Sequence, residues 1–350
     1  SANLKEYKAT GTGNDNITVS GATSIKVDTI NTGAGDDKLS LTGSGAVTTV
    51  DLGSGNDELI VNHANASIEN ATINLGAGND KITITNVSGD GLKGATIDGG
   101  AGRDTLIVSG GISGSGDFTL KNIEVLQASG ASAKVSYAQI KDQALTLTKA
   151  SEGKLEIIAT NKETTIDLTK LNKNVATGET ALDALTLDKV GSGATSGVTV
   201  TLNKNDGIAE TIKLASSAAN VTIVGIASGD KLDLTAINDL SQLSSLVTTA
   251  LVSTSSVTVS SNKVYFMNAA SAIDDATKAA AALTSAVSSF ASSAKALIAF
   301  NNGGKSYLFK AIGDSTTNDI KASELTLIGI VDNEINASDK VSPNGTIEFV

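Results

Sequence analysis

The chain has 350 residues, enough for two or three domains, and a formal net charge of −11. That charge argues against the basic surface with which proteins bind nucleic acid or anionic membranes. The chain has no Cys and a single His, which excludes a disulfide framework and the ligand set of a zinc protease. Only 3% of the residues are aromatic, which favours a thin core of Ile, Val, Leu and Ala ladders over a globular enzyme core.

The first third of the chain contains five short glycine–aspartate turns. Each has two glycines and then an aspartate, and an aliphatic residue follows two positions after the aspartate. The glycines are Gly11, Gly13, Gly33, Gly35, Gly53, Gly55, Gly76, Gly78, Gly100 and Gly102, and the aspartates are Asp15, Asp37, Asp57, Asp80 and Asp104. This is the G-G-x-G-x-D-x-U-x pattern of calcium-binding parallel β-rolls.

The spacing of the turns indicates how the chain winds. The aspartates are separated by 22, 20, 23 and 24 residues, and a second apolar segment such as Ala46–Val50 lies between successive turns. We therefore predict an all-β fold, in which residues 1–112 form a right-handed parallel β-solenoid with two strands and one glycine-rich turn per coil. The turns should stack along one edge, about 4.8 Å apart.

Such a stack brings acidic side chains close together. Two carboxylates about 5 Å apart repel by about 3 kcal/mol at an effective dielectric of about 20, and Asp36 and Glu58 add to the negative charge. A hard dication bound by carboxylate and carbonyl oxygens removes this repulsion. The turns therefore predict bound Ca²⁺, with calcium binding and folding coupled. The alternative is a glycine-rich solenoid whose turns are acidic without binding metal.

Residues 113–225 lack the aspartate turns but still resemble strands. Segments such as Phe118–Leu126, Lys154–Ile158 and Val198–Leu202 alternate apolar and polar residues, as strands with one buried face do. Two interpretations stay open for this region: a continuing solenoid without metal turns, or a β-sandwich.

Residues 226–350 contain seven of the ten aromatic residues and predict a β-rich C-terminal domain. The Ala- and Ser-rich segment 271–294 predicts a helix, with Asp274 and Asp275 near its start favouring the helix dipole. Residues 296–309 predict a β-hairpin around Gly303 and Gly304. Residues 325–331 predict another strand.

Catalytic motifs are absent from the sequence. It has neither the H-E-x-x-H of zinc proteases nor the G-x-S-x-G of lipases. The segment Ala299–Ser306 approaches a phosphate-binding loop, but its strand–turn–strand context predicts a hairpin turn. His63 follows a strand and is predicted to be a solvent-exposed polar residue. We therefore predict that the chain is not an enzyme.

The turns resemble those of the RTX (repeats-in-toxin) family. Leu120–Leu126 is similar to a segment found just after RTX rolls, and Ser228–Leu234 resembles the GDKLDL run of RTX C-terminal domains. The resemblance covers residues 1–126 and 221–350. It implies that the turn aspartates and carbonyls of one coil share each calcium ion with the next coil. Asp36 and Arg103 stand where the family often has Asn.

Within that family the composition most resembles surface-layer (S-layer) proteins. The resemblance implies a structural protein that assembles with copies of itself into a calcium-dependent lattice on the surface of a Gram-negative bacterium. It also implies type I secretion directed by the C-terminal region, and contact with lipopolysaccharide through regions outside this chain. No nucleic-acid partner is expected. The alternative is a non-catalytic C-terminal fragment of another secreted RTX protein, such as an adhesin or a hydrolase tail.

Overall fold

The structure is a computed structural model in which the chain divides into two compact units. Unit 1 comprises Ser1–Ile158 and Lys170–Leu185, and unit 2 comprises Ala159–Thr169 and Thr186–Val350. The residues that the structure describes are 3–9, 11–20, 26–42, 46–62, 68–85, 91–112, 118–150, 153–159, 163–192, 197–216, 220–247, 251, 257–284, 286–290, 292–314 and 320–350.

Unit 1 is built from two parallel sheets whose strands alternate along the chain. In spatial order, the first sheet contains β1 (Asn3–Lys8), β3 (Lys26–Asn31), β5 (Ala46–Asp51), β7 (Thr72–Ala77), β9 (Thr96–Ala101) and β11 (Thr119–Lys121). The second sheet contains β2 (Asn16–Val19), β4 (Lys38–Leu41), β6 (Glu58–Asn62), β8 (Lys81–Thr85), β10 (Thr105–Gly111), β12 (Val125–Ser136) and β14 (Leu155–Ile158). Strand β13 (Thr146–Lys149) also pairs with β12. The one-turn helix α1 (Tyr137–Ile140) directly follows β12 in the chain. Because each coil adds one strand to each sheet, the chain winds as a parallel β-solenoid.

The core of unit 1 consists of aliphatic ladders that run from coil to coil. In the first sheet Ile30, Val50, Ile73, Ile97 and Leu120 pair in register, and in the second Leu39, Leu59, Ile82, Leu106 and Leu126 do. All ten side chains are buried. Successive residues of a strand point to opposite faces, so the alternating sequence places these residues inside and polar residues outside.

Unit 2 continues the parallel pattern and then becomes antiparallel. One sheet has the order β15 (Thr165–Asp167), β17 (Val198–Thr201), β19 (Val221–Val224), β27 (Leu325–Val331), β26 (Lys305–Ile312), β25 (Lys295–Asn302), β23 (Lys263–Asn268) and β21 (Ser245–Leu246). Beside β16 (Ala184–Val190) lie β18 (Ala209–Leu214), β20 (Lys231–Asp233), β29 (Thr346–Glu348) and β28 (Lys340–Ser342). The β17–β19 and β18–β20 pairs are parallel, whereas β25–β26, β26–β27 and β20–β29 are antiparallel. The remaining elements are the strand pair β22 (Val257–Val259) and β24 (Val287–Phe290), helix α2 (Ala276–Leu283) and the 3₁₀ turn Ala322–Glu324.

Several sequence predictions are confirmed. The fold is all-β and contains a parallel β-solenoid, and parallel strand pairs such as β12–β14, β15–β17 and β17–β19 occur within residues 113–225. The predicted hairpin is formed by β25 and β26. Asn302 pairs with Lys305 across Gly303 and Gly304, whose φ angles of 61° and 78° suit the turn. Of the described helices, none combines the length and apolarity needed to cross a membrane.

Two predicted elements differ from the structure. The helix predicted over 271–294 is confined to Ala276–Leu283, where Asp275 caps it by accepting the Lys278 backbone N–H. Val287–Phe290 instead forms a strand paired with β22, because that pairing places Phe290 in a buried position. The segment Phe118–Leu126 is two strands rather than one, since the chain turns at Asn122, whose φ is 48°. His63 lies outside the described residues.

Candidate metal centre

The five glycine–aspartate turns stack in a column at one edge of unit 1. They comprise residues 11–15, 33–37, 53–57, 76–80 and 100–104, and together we call them the loop row. In each coil the aspartate backbone N–H donates to Oδ1 of the aspartate in the next coil. These distances are 2.7 Å from Asp15 to Asp37, 2.7 Å from Asp37 to Asp57, 2.8 Å from Asp57 to Asp80 and 2.8 Å from Asp80 to Asp104. The predicted column is confirmed.

Glycine is required in the loop row because the turns lie very close together. The φ angles are 96° to 110° at Gly33, Gly53, Gly76 and Gly100, and 131° to 150° at Gly35, Gly55, Gly78 and Gly102. A Cβ on Gly78 would lie 1.7 Å from the carbonyl oxygen of Gly55. The first turn differs: Gly11 and Gly13 are exposed, and a Cβ on Gly13 would meet nothing within 4 Å.

Four aspartates of the loop row each bury a carboxylate oxygen that has no hydrogen-bond partner. Asp37, Asp57, Asp80 and Asp104 are at most 2% exposed, and the Oδ2 atom of each is buried and unpartnered. Asp15, in the first turn, is only partly buried. Leaving a buried acceptor unpartnered costs about 1–3 kcal/mol, and more when it is charged. In each of these four successive coils, a cation or a proton would be needed to balance the buried, unpartnered carboxylate oxygen.

Burial acts on the titration of these aspartates. It raises the pKa of Asp57 to about 6; the N–H of Asp37 opposes the shift, and the charges of Asp80, Asp37 and Asp36 add to it. Burial likewise raises the pKa of Asp104 to about 6 and that of Asp80 above its usual value. Burial therefore disfavours the ionised forms of Asp57, Asp80 and Asp104.

A second row of side chains runs beside the aspartates in the opposite direction. The backbone N–H of Asp36, Asn56, Asn79 and Arg103 each donates to the Oδ1 atom one coil earlier, on Asn14, Asp36, Asn56 and Asn79. Arg103 has no side-chain acceptor, so this row ends there. Its Nη2 lies 2.7 Å from Oε2 of Glu179.

Glu179 belongs to a segment of unit 1 that is distant in sequence. The Leu147 N–H donates to the carbonyl oxygen of Asn172, and the Leu182 N–H to that of Leu147, so this segment lies along β13. Burial would raise the pKa of Glu179, but the Ala176 N–H and Arg103 hold it below its usual value. The interaction with Glu179 therefore gives Arg103 a structural function at the end of the row.

Sequence reasoning misjudged one acidic residue and missed another. Glu58 was expected to add to the repulsion, but its carboxylate lies 2.7 Å from Lys38 Nζ and 3.9 Å from Lys81 Nζ. Glu124 extends the loop row, since its Oε2 accepts the Asp104 N–H at 2.8 Å. The 20-residue separation of Asp104 and Glu124 was the signal that could have revealed it.

The chemistry of the loop row suits a hard cation. In the part of the chain that the structure describes, no three carboxylate, imidazole or thiolate side chains converge as a metal-binding group. A cation here would need main-chain carbonyl and water oxygens besides the aspartates. Calcium accepts such mixed shells of about six to eight oxygens in flexible geometry. The oxygen donors of the loop row are of the type that Ca²⁺ accepts, and the unpartnered Oδ2 atoms would be its side-chain ligands.

Comparisons with known proteins give no independent identity for the chain. No protein-family model, no curated protein and no solved structure matches it. The solenoid fold and the ladder of buried aspartates are therefore properties read from this chain alone.

Proposed function

We propose that the loop row binds calcium ions between successive coils, and that the chain is a structural protein of a calcium-dependent surface array. The observation that carries the calcium proposal is the set of four buried, unpartnered Oδ2 atoms. A bound cation would balance each buried charge and fill each missing contact. In its absence the same oxygens would favour opening of the coils.

Calcium is favoured over other metals by the donor types. The loop row offers carboxylate, amide and carbonyl oxygens and no thiolate or imidazole. Such oxygens suit calcium and magnesium rather than zinc or copper. Magnesium requires near-ideal octahedral geometry, whereas calcium tolerates the irregular shell that stacked backbone turns provide.

An assembling structural protein is favoured by the repetition of its surface. Five threonines pair in register on the first sheet of unit 1, and all are at least partly exposed: Thr29, Thr49, Thr72, Thr96 and Thr119. A face that presents the same group at every coil can make equivalent contacts with copies of itself. Secretion by a type I system and a place in an S-layer complete the proposal and rest on the RTX resemblance.

The calcium part is tested by far-UV circular dichroism of the chain in chelator and after addition of calcium. We expect strand signal to increase with calcium in the wild type, and Asp80→Asn to require more calcium. Asp28→Asn removes the same charge from an aspartate of β3 that is 48% exposed, and it should behave like the wild type. Identical spectra with and without calcium would contradict the proposal.

The assembly part is tested separately by electron microscopy at millimolar calcium. Ordered sheets that disperse in chelator support an array. Monomers that bind calcium but do not associate would contradict the assembly while leaving the calcium site intact, and would favour a fragment of another secreted protein.

A further inference from the structure

Unit 2 contains a second carboxyl contact with the same coil-to-coil geometry as the loop row. Thr211 pairs with Lys231 across β18 and β20, so the residues just before them, Glu210 and Asp230, occupy equivalent positions in successive coils. The Glu210 backbone N–H donates to Asp230 Oδ1 at 3.1 Å, across a separation of 20 residues. The same type of contact joins Asp37 to Asp57 in the loop row.

The two carboxyl groups are as deeply buried as those of the loop row, but Asp230 has a hydrogen-bond donor at both of its oxygens. Glu210 is 2% exposed and Asp230 is 1% exposed. The second oxygen of Asp230 accepts the Ala227 N–H at 2.8 Å. Because the two residues occupy equivalent positions in adjacent coils, their buried carboxyl groups lie side by side, and a hydrogen bond between them is one of the causes that raise the pKa of Glu210. An ionised carboxylate only accepts hydrogen bonds, so a bond between two carboxyl groups needs a proton on one of them.

We propose that Glu210 and Asp230 share one proton at neutral pH, and that this proton stabilises their coils where a cation would stabilise the loop row. Glu210 is the protonated partner. Both oxygens of Asp230 already accept backbone N–H groups, so in the contact between the two carboxyl groups the Glu210 carboxyl is the donor. The proposal does not depend on calcium binding in unit 1.

The surrounding charges support this assignment. Burial is the main cause that raises the pKa of Glu210, to about 10, and the hydrogen bond to Asp230 and the charges of Asp230 and Asp206 contribute further. The lysines on the two strands are paired elsewhere, Lys213 with Asp188 at 3.6 Å and Lys231 with Glu348 at 3.4 Å. The other charged group on these strands is Asp233, which accepts the Thr235 N–H. Lys213 lies on the opposite face of β18 from Glu210, because strand residues alternate.

A shared proton links the stability of unit 2 to pH. The folded chain keeps a proton on Glu210 that the unfolded chain releases above the ordinary pKa of 4.5. The stabilisation is therefore complete below pH 4.5 and is lost as pH rises towards about 10. Within this window each pH unit lowers the folded-to-unfolded ratio by up to about tenfold.

The main test is hydrogen exchange of the full chain at several pH values between 6 and 9, corrected for the intrinsic exchange rate. In the wild type, the opening constant of β18 and β20 amides should rise by up to about tenfold per pH unit. Glu210→Gln keeps the size of the side chain and a hydrogen-bond donor, so its opening constant should stay nearly flat. Glu348→Gln, at a residue whose side chain is 33% exposed, is the matched control and should keep the wild-type slope. Equal slopes in the wild type and Glu210→Gln would overturn the proposal.

A second measurement needs no stable variant. The carbon-13 shift of the Glu210 side-chain carboxyl should show the protonated form at pH 7, and an ionised form would contradict a shared proton. The last test measures hydrogen exchange with added calcium. If added calcium slowed exchange in β18 and β20 of the wild type but not of Glu210→Gln, the pair would be a cation site and the proposal would be wrong.

Discussion

The loop row and the Glu210–Asp230 pair both bury acidic side chains where successive coils meet, but they differ in the partners of the carboxylate oxygens. In both, a backbone N–H of one coil donates to a carboxylate oxygen of the next. In the loop row the other oxygen of each buried aspartate is unpartnered, whereas in the pair both Asp230 oxygens accept N–H groups. The comparison indicates that the partner of the second oxygen decides whether a buried acidic contact calls for a cation.

The local turn explains this difference. Asp230 receives the N–H of Ala227, three residues earlier in its own turn. In the loop row, the unpartnered Oδ2 of Asp104 instead lies close to Gly99, the residue five positions earlier. A Cβ added at Gly99 would be 2.6 Å from that oxygen. The equivalent positions in the preceding coils are Leu75, Leu52 and Thr32, all fully buried. A turn that supplies no donor leaves the second carboxylate oxygen without a hydrogen-bond partner.

Removal of calcium should separate the two regions most clearly. In chelator, amides of β4, β6, β8 and β10 should exchange at least about 100-fold faster, because each unbalanced buried carboxylate costs about 1–3 kcal/mol or more. Amides of β18, β20 and β25 should change little. Hydrogen exchange with mass spectrometry measures both regions in one sample. Equally faster amide exchange in both regions would contradict the proposed difference between the loop row and unit 2.

The close stacking of the loop row can be tested with Gly78→Ala. Its Cβ would lie 1.7 Å from the Gly55 carbonyl oxygen, at a φ of 150°, so we expect the free energy of unfolding in calcium to fall by about 3 kcal/mol. Gly13→Ala is the control, because open space surrounds that position. Urea unfolding measures both variants, and similar losses would show that the glycines are not required by stacking.

Asp80→Asn should change the sign of its effect with calcium. Without the ion, the variant should be about 1–2 kcal/mol more stable than the wild type, because it removes an unbalanced buried charge. With calcium present it should be less stable, because it loses a ligand. Urea unfolding under both conditions provides the measurement, with Asp28→Asn as the control. A variant that is less stable in both conditions would argue against an ion at this aspartate.

The smallest expected effect is at Arg103, which ends the second row. Arg103→Asn should cost less than about 1 kcal/mol, since its ion pair with Glu179 is partly exposed. It should also raise calcium affinity about two- to fivefold, because a positive charge beside the row is removed. Glu179→Gln breaks the same ion pair but keeps the charge of Arg103, so calorimetric titration should show no gain in affinity. A gain in calcium affinity in both variants would show that breaking the ion pair, rather than removing the positive charge, causes it.

The sequence predicted the features that repeat. The glycine–aspartate turns recur at 20 to 24 residues, and that spacing was sufficient to predict the coils and the column. The Gly303–Gly304 pair likewise predicted its hairpin, because both residues can adopt positive φ.

Features that depend on register or on distant contacts were not predicted. The negative charge of Glu58 is compensated by Lys38 and Lys81, which lie in the coils on either side of it, so this contact depends on the register of three coils. The contact between Arg103 and Glu179 joins residues 76 positions apart, and no local pattern marks it. Glu210 lies in a strand rather than a glycine turn, so its equivalence to Asp230 is visible only in the strand register.

The most direct test of the calcium account is equilibrium dialysis of the metal-free full chain against millimolar calcium. The wild type should bind several ions per chain. A variant with Asp37, Asp57, Asp80 and Asp104 all changed to Asn should lose most of them while circular dichroism still shows strand structure. Equal numbers of ions bound by the two proteins, or none bound by the wild type, would contradict the account.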